Sequence, residues 1–181
     1  MKSILYQKYK TESILALKGK FGYQNNNAVP KIEKVSVNIG INARNSENNY
    51  VDNVESILTR ITGQKPVTRI TKKAIASFKT RQGDAIGYQV TLRGPRMHEF
   101  LDRLINIALP RTKDFRGLSR TSVDEMGNLT IGIKEHTIFP ETSDEDLKDV
   151  FGFAITIVTT SSDKKQTLAF LEHIGLPMKR E

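Results

Sequence analysis

The chain has 181 residues, enough for one hydrophobic core, and its 38% hydrophobic and 27% charged residues mark a globular rather than a disordered protein. No uninterrupted apolar run approaches the ~20 residues that span a bilayer, and the stretch Met1–Lys8 lacks the apolar run of a secretory signal. The absence of cysteine removes disulfides, thiolate zinc sites and cysteine nucleophiles together, so a soluble, intracellular chain is expected.

The net charge of +8 is unevenly spread. Residues 1–64 hold nine Lys/Arg against five Asp/Glu, residues 65–96 hold eight against Asp84 alone, and residues 97–181 hold eleven against fourteen. Cations this close in sequence repel one another unless a polyanion neutralises them. The bland alternative is a solvated basic face. No basic amphipathic helix accompanies these charges, so nucleic acid is favoured over a membrane as the polyanion.

In chain order, residues 3–22 predict a helix, with Ile4, Leu5, Ile14, Leu15, Leu17 and Phe21 apolar and a stop at Gly22. Val35, Val37 and Ile39 alternate with Lys34, Ser36 and Asn38, the period of a half-buried strand over 31–39. Ser46 to Thr62 carries Val51, Val54, Leu58 and Ile61 at helical spacing and ends at Gly63. Pro66 to Thr71 is a short strand, and residues 72–84 lack periodicity and read as a long, flexible basic loop. The clearest strand follows, with Ile86, Tyr88, Val90 and Leu92 alternating with Gly87, Gln89, Thr91 and Arg93. Pro95 opens a helix with Met97, Phe100, Leu101, Leu104, Ile105 and Ala108 as its apolar stripe, stopping at Pro110. Residues 111–127 form an Arg- and Ser-rich loop. Strands follow at 129–134 and 153–158, separated by an acidic patch from Glu141 to Asp149, and Asp163 to His173 is the last helix.

With no repeat or linker, a single domain over 1–181 is expected. Strands with one apolar and one polar face imply an α+β fold, a mainly antiparallel twisted sheet with helices on one face. The open face would then display Ser36, Asn38, Gln89, Thr91, Arg93, Thr130, Lys134 and Thr156. These groups suit sugar hydroxyls, base edges and phosphates, although they equally suit plain solvation.

Catalytic signals are weak. His98, His136 and His173 are far apart without a metal-binding partner spacing, and read as surface or cap histidines. Phosphate-cradling and nucleophile-elbow motifs are absent. The acidic patch around Glu141, Asp144, Glu145, Asp146 and Asp149 could hold a divalent cation for a nuclease, but it lacks EF-hand alternation and reads as a helix start. No enzyme activity, cofactor, metal or small-molecule substrate is therefore expected. Within 72–82, Lys72, Lys73, Lys79 and Arg81 surround Ser77 and Phe78, an aromatic that could stack on a base or equally anchor the loop.

Six segments occur in order: Val29-Pro30-Lys31-Ile32-Glu33-Lys34, Gly63-Gln64-Lys65-Pro66, Phe78-Lys79-Thr80-Arg81-Gln82-Gly83, Val90-Thr91-Leu92-Arg93-Gly94, Pro110-Arg111-Thr112-Lys113-Asp114-Phe115-Arg116-Gly117 and Ile138-Phe139-Pro140-Glu141. Together they closely resemble the large-subunit ribosomal protein five family of the bacterial type, from about residue 6 to the C-terminus.

The resemblance implies a structural, RNA-binding constituent of the large subunit that holds 5S rRNA in the central protuberance. It implies 5S rRNA contacts at Asn38, Gln64 and Thr91, with Lys34, Ser36 and Arg93 beside them. A basic arm would touch peptidyl-site tRNA through Lys72, Lys73, Ser77, Phe78, Lys79, Arg81 and Gln82. A third surface, between Arg111 and Asp149, would bridge to small-subunit ribosomal protein thirteen. The partners implied are thus 5S rRNA, large-subunit rRNA, tRNA and that protein, in a cytoplasmic bacterial ribosome or an organellar one. Against this stand a free-standing RNA-binding module and the metal-dependent nuclease. The chain departs from the family at Asn25–Asn27, Arg44–Tyr50 and after Ser161.

Overall fold

The computed structural model describes residues 3–41, 48–78, 80–142 and 150–179, apart from the side chains of Asn48, Asn49 and Phe78. Its elements follow the hydrophobic periods closely. The first helix runs as α1 (Ile4–Lys8), a π-helical turn (Tyr9–Ser13) and α2 (Ile14–Phe21). The strand β1 (Ile32–Gly40) and helix α3 (Asn48–Thr62) come next, the predicted start of α3 at Ser46 lying outside the described residues. Then come β2 (Val67–Ile70), β3 (Ala85–Leu92), α4 (Gly94–Arg103) with a π turn (Leu104–Ala108), β4 (Leu129–Ile133), β5 (Phe153–Thr159) and α5 (Lys164–Ile174). Among the described residues the strands form one antiparallel five-stranded sheet, ordered β2-β3-β1-β5-β4, and the fold is α+β.

The chain resolves into two compact units, three of whose four boundaries fall inside strands: residues 1–35, 93–131 and 156–181, and residues 36–92 and 132–155. In the first unit, α1 begins where the Asp102 carboxylate of α4 accepts the Leu5 N–H at 3.0 Å and the Ser3 hydroxyl, so orphan donors of the first turn are capped from another helix. Leu5, Leu17, Phe100, Leu104 and Phe170 are buried there, and Tyr9 meets Phe170 edge-on with ring centroids 5.9 Å apart. The Asp163 side chain accepts the Lys165 N–H at 2.9 Å and starts α5, as the sequence predicts.

In the second unit, Val54, Ile57, Leu58 and Ile61 form the buried stripe of α3, and Tyr88, Val90 and Leu92 the buried face of β3. Tyr88 Oη donates to Glu55 Oε2 at 3.1 Å, and Lys65 Nζ lies 3.2 Å from Glu55 Oε1, which ties α3 and its exit to the strand. Burial, then the hydrogen bond to Glu55, holds the Tyr88 phenol above its ordinary 10.0.

One expectation is filled out and one corrected. The described residues of 72–84, expected as a long loop, are tied into an arm by backbone hydrogen bonds. Thr71 donates its N–H to Asp84 O at 2.8 Å, Gly83 donates to Thr71 O at 3.0 Å, and Ile75 and Thr80 exchange backbone bonds of 3.2 and 3.3 Å around a 3₁₀ turn (Ala76–Phe78). Backbone groups must find partners even where side chains show no period, and here they find them across the arm. The histidines are not all at the surface either. His136 is fully buried, stacked on Phe151 with centroids 4.4 Å apart, and its Nδ1 accepts the Phe151 N–H at 3.4 Å. A ring nitrogen that accepts from backbone replaces its lost water, so the side chain packs as a core aromatic.

Candidate nucleic-acid interface

Alternation along β1 and β3 sends Val37, Ile39, Val90 and Leu92 into the core and leaves Ser36, Asn38, Gln89 and Thr91 half-exposed on the opposite face. The register of the second unit decides what these groups do. Val67 pairs with Gln89 and Arg69 with Gly87, so β2 puts Arg69 on the same face as Gln89. The Arg69 guanidinium donates to Gln89 Oε1, through Nε at 2.7 Å and also through a terminal nitrogen. Gln89 Nε2 donates to Ser36 Oγ at 2.9 Å, and Asn38 Nδ2 donates to the same hydroxyl at 3.3 Å.

The chain Arg69–Gln89–Ser36–Asn38 fixes both amide orientations. Gln89 has both ends engaged and acts as a spacer. Ser36 accepts twice and keeps its proton to donate, while Asn38 keeps Oδ1 as an acceptor. The result is a donor and an acceptor held at set positions beside a permanent cation, which can read fixed partners such as ribose hydroxyls and base edges.

Gln64 and Thr91 meet by a different route. Gly63, at φ 68°, turns the chain out of α3, and Thr62 Oγ1 donates to Gln64 O at 3.0 Å. Gln64 Nε2 then donates to Thr91 O at 3.4 Å, beyond the start of β2 at Val67, where no strand is paired with that carbonyl on this side. Gln64 Oε1 stays available to accept. Close packing sets this region: a Cβ added to Gly87 would lie 2.2 Å from Ile39 O.

On the arm, Lys72, Lys73, Ser77, Arg81 and Gln82 are exposed; Lys79 lies outside the described residues, as does the side chain of Phe78. Asp84 forms no ion pair with Lys72, Lys73 or Arg81. Its carboxylate accepts the Arg81 backbone N–H at 2.7 Å and closes the turn. Among the described residues no ion pair engages Lys72, Lys73 or Arg81.

The structure therefore brings Ser36, Asn38, Gln64 and Thr91 onto one built face and places the described arm residues apart from it in sequence and character. Lys34, half-buried on β1, and Arg93, exposed at the N-cap of α4, belong to the first unit. Arg69 and Gln89 are the functional candidates that site assignment from sequence missed. Gln89 sat in plain alternation, but Arg69 joins it only through the β2–β3 register. Of the acidic patch, residues 143–149 lie outside the described residues, and among the described residues no cluster of three or more His, Asp or Glu is placed to hold a metal.

Comparison with known proteins agrees with this character. The profile "Ribosomal protein L5" matches residues 25–81, and that of the "ribosomal L5P family C-terminus" matches residues 85–178. The large ribosomal subunit protein uL5 of Moorella thermoacetica is 47% identical over 175 residues, 97% of each chain. That of Flavobacterium johnsoniae is 47% identical over 176 residues, 97% of this chain and 96% of the relative. That of Mycoplasma mycoides subsp. mycoides is 44% identical over 180 residues, 99% of this chain and all of the relative. These matches make the chain a ribosomal protein, a structural constituent of the large subunit and not an enzyme. Within that class, the chain belongs to the ribosomal protein L5 family, of the bacterial type.

Proposed function

We propose that the sheet face of the second unit holds 5S rRNA and that the arm touches peptidyl-site tRNA, in the ribosome of a bacterial cytoplasm. The observation that carries the first half is the fixed network from Arg69 through Gln89 and Ser36 to Asn38. A preorganised hydrogen-bonding face loses little side-chain freedom on binding, which favours one RNA conformation over a generic polyanion. Asn38, Gln64, Thr91 and Ser36 make the specific contacts, and Gln89 and Arg69 hold them in place; Lys34 and Arg93, in the first unit, are separate candidates for phosphate. Lys72, Lys73, Ser77, Phe78, Lys79, Arg81 and Gln82 form the tRNA surface, and the exposed cations Lys72, Lys73 and Arg81, with no ion pair among the described residues, suit phosphates. The bridge to small-subunit ribosomal protein thirteen is assigned to the stretch from Arg111 to Asp149, whose mixed charge in the sequence suits a protein partner.

The test is affinity for 5S rRNA measured by filter binding. Asn38→Ala, Gln64→Ala and Thr91→Ala should each weaken it by roughly 1–3 kcal/mol, the cost of stranding hydrogen-bond partners in a buried interface. Unchanged affinity in all three variants would defeat the sheet-face reading.

A further inference from the structure

The first unit holds eighteen Lys/Arg against ten Asp/Glu and the second ten against ten, so the whole net charge of +8 belongs to the first. The neutral second unit is nevertheless segregated: residues 56–83 carry seven of its ten cations and no acid. Four exposed aliphatic side chains fall in or beside the same stretch, Val67 and Ile70 on β2, Ile75 on the arm and Ile86 on β3. Cations and exposed aliphatics thus gather on one hairpin.

Among the described residues β2 is the terminal strand of the sheet and pairs only with β3, so its outer edge carries backbone groups that no strand meets. All four of its residues are exposed. Alternation puts Val67 and Arg69 on the open face with Gln89, and Thr68 and Ile70 on the other. Arg69 is held on Gln89, which leaves Val67, 61% exposed, on one face of the edge and Ile70, 59% exposed, on the other. An edge kept only in solvent is blunted by charge, proline or shortness. Lys65, Pro66 and the four-residue length blunt β2 in part, but two bare aliphatic side chains in four residues do not. The blunting does exclude a second copy: two β2 strands paired antiparallel about Thr68 and Arg69 would set the Lys65 and Lys72 side chains of the two copies face to face.

We propose that the outer edge of β2, Val67–Ile70, takes up an extended acidic segment of a protein partner as a further antiparallel strand. Backbone hydrogen bonds along the edge supply the attachment, and side chains alternating along the incoming strand cover Val67 on one face and Ile70 on the other. Carboxylates toward its two ends meet Lys65 at one end of β2 and Lys72 and Lys73 at the other, all exposed, which selects an acidic strand over a neutral or basic one. A nucleic acid would satisfy the same cations, but alternating backbone donors and acceptors flanked by aliphatic side chains are completed by another strand.

The probe is a fluorescein-labelled peptide of alternating Glu and Val with blocked ends, added to the full-length protein. It is expected to bind with an affinity that falls as salt rises, and to slow hydrogen exchange at alternate amides of Val67–Ile70, those turned away from β3. The same peptide N-methylated at every bond keeps the charge but loses the strand's donors, and is expected to bind many-fold more weakly. Val67→Glu, at an exposed position, is expected to weaken the unmodified peptide several-fold. Equal binding of the N-methylated peptide, which would mean attraction by charge alone, overturns the proposal. So do unchanged affinity in Val67→Glu, absence of protection on β2, and protection of those amides by tRNA but not by the peptide. Protection that grows with protein concentration without peptide would make a second copy the occupant and overturn it too. None of these outcomes is read on 5S rRNA, so the sheet-face reading fails separately.

Discussion

The sheet face and the arm of the second unit are close neighbours in sequence and built on opposite principles. The face is almost neutral and internally bonded: Ser36, Asn38 and Gln89 spend hydrogen bonds on each other, and Arg69 spends its guanidinium on Gln89. Among the described residues the arm is bonded mainly through its backbone, and its cations Lys72, Lys73 and Arg81 are exposed to solvent. Hydrogen bonds between fixed groups discriminate one partner from another, whereas exposed charges attract any polyanion and weaken with salt. Both regions are rich in RNA-compatible side chains, and they differ in charge and in how those side chains are held.

The largest expected effect breaks the face without touching a functional group. Gly87→Ala forces a Cβ against Ile39 O, where the approach would be 2.2 Å and the obstacle is backbone. It should destabilise the protein by about 3 kcal/mol, the upper end of overpacking costs, and lower the urea midpoint. A midpoint within error of wild type would show that β1 and β3 yield at no cost. The next effect concerns the network. In a double-mutant cycle on 5S rRNA affinity, Arg69→Ala and Gln89→Ala should couple by about 0.5–1.5 kcal/mol, because either substitution releases the other partner. Simple additivity would mean that the face is not preorganised.

The arm should respond differently. Lys79→Ala with Arg81→Ala should leave 5S rRNA affinity nearly intact, weaken retention of peptidyl-tRNA and flatten its salt dependence by about one to two units of slope. A collapse of 5S rRNA binding in that variant would erase the division of labour. The smallest effect lies outside both regions. Burial holds His98 below its ordinary 6.5, with Asp102 partly opposing. A base whose folded pKa is depressed is protonated first in the unfolded chain, so its contribution is lost as pH falls below 6.5. His98→Gln should therefore narrow the gap in thermal midpoint between neutral and mildly acidic pH while leaving both RNA affinities unchanged. An unaltered gap would remove His98 from the acid response.

The site was legible in proportion to how local its causes were. Strand alternation puts Asn38 and Thr91 on the open face, whereas Gln64 enters only through the resemblance to the family. Lys72, Lys73 and Arg81 are visible as charge alone. The arm's order was hidden because backbone pairing between Ile75 and Thr80 leaves no hydrophobic period. His136 was misjudged because burial beside Phe151 depends on a residue fifteen positions away.

What the sequence by itself determined is the set of elements, the two-faced strands and the α+β class, since periodicity and caps are properties of neighbouring residues. Only the tertiary structure decided that Arg69 lies against Gln89, that the Gln64 amide reaches the Thr91 carbonyl, and that the net charge gathers in the unit with the N-terminal helices. Each of those depends on register or on segments distant in sequence coming together, and a strand pattern of period two is unchanged when its partner slides by two residues.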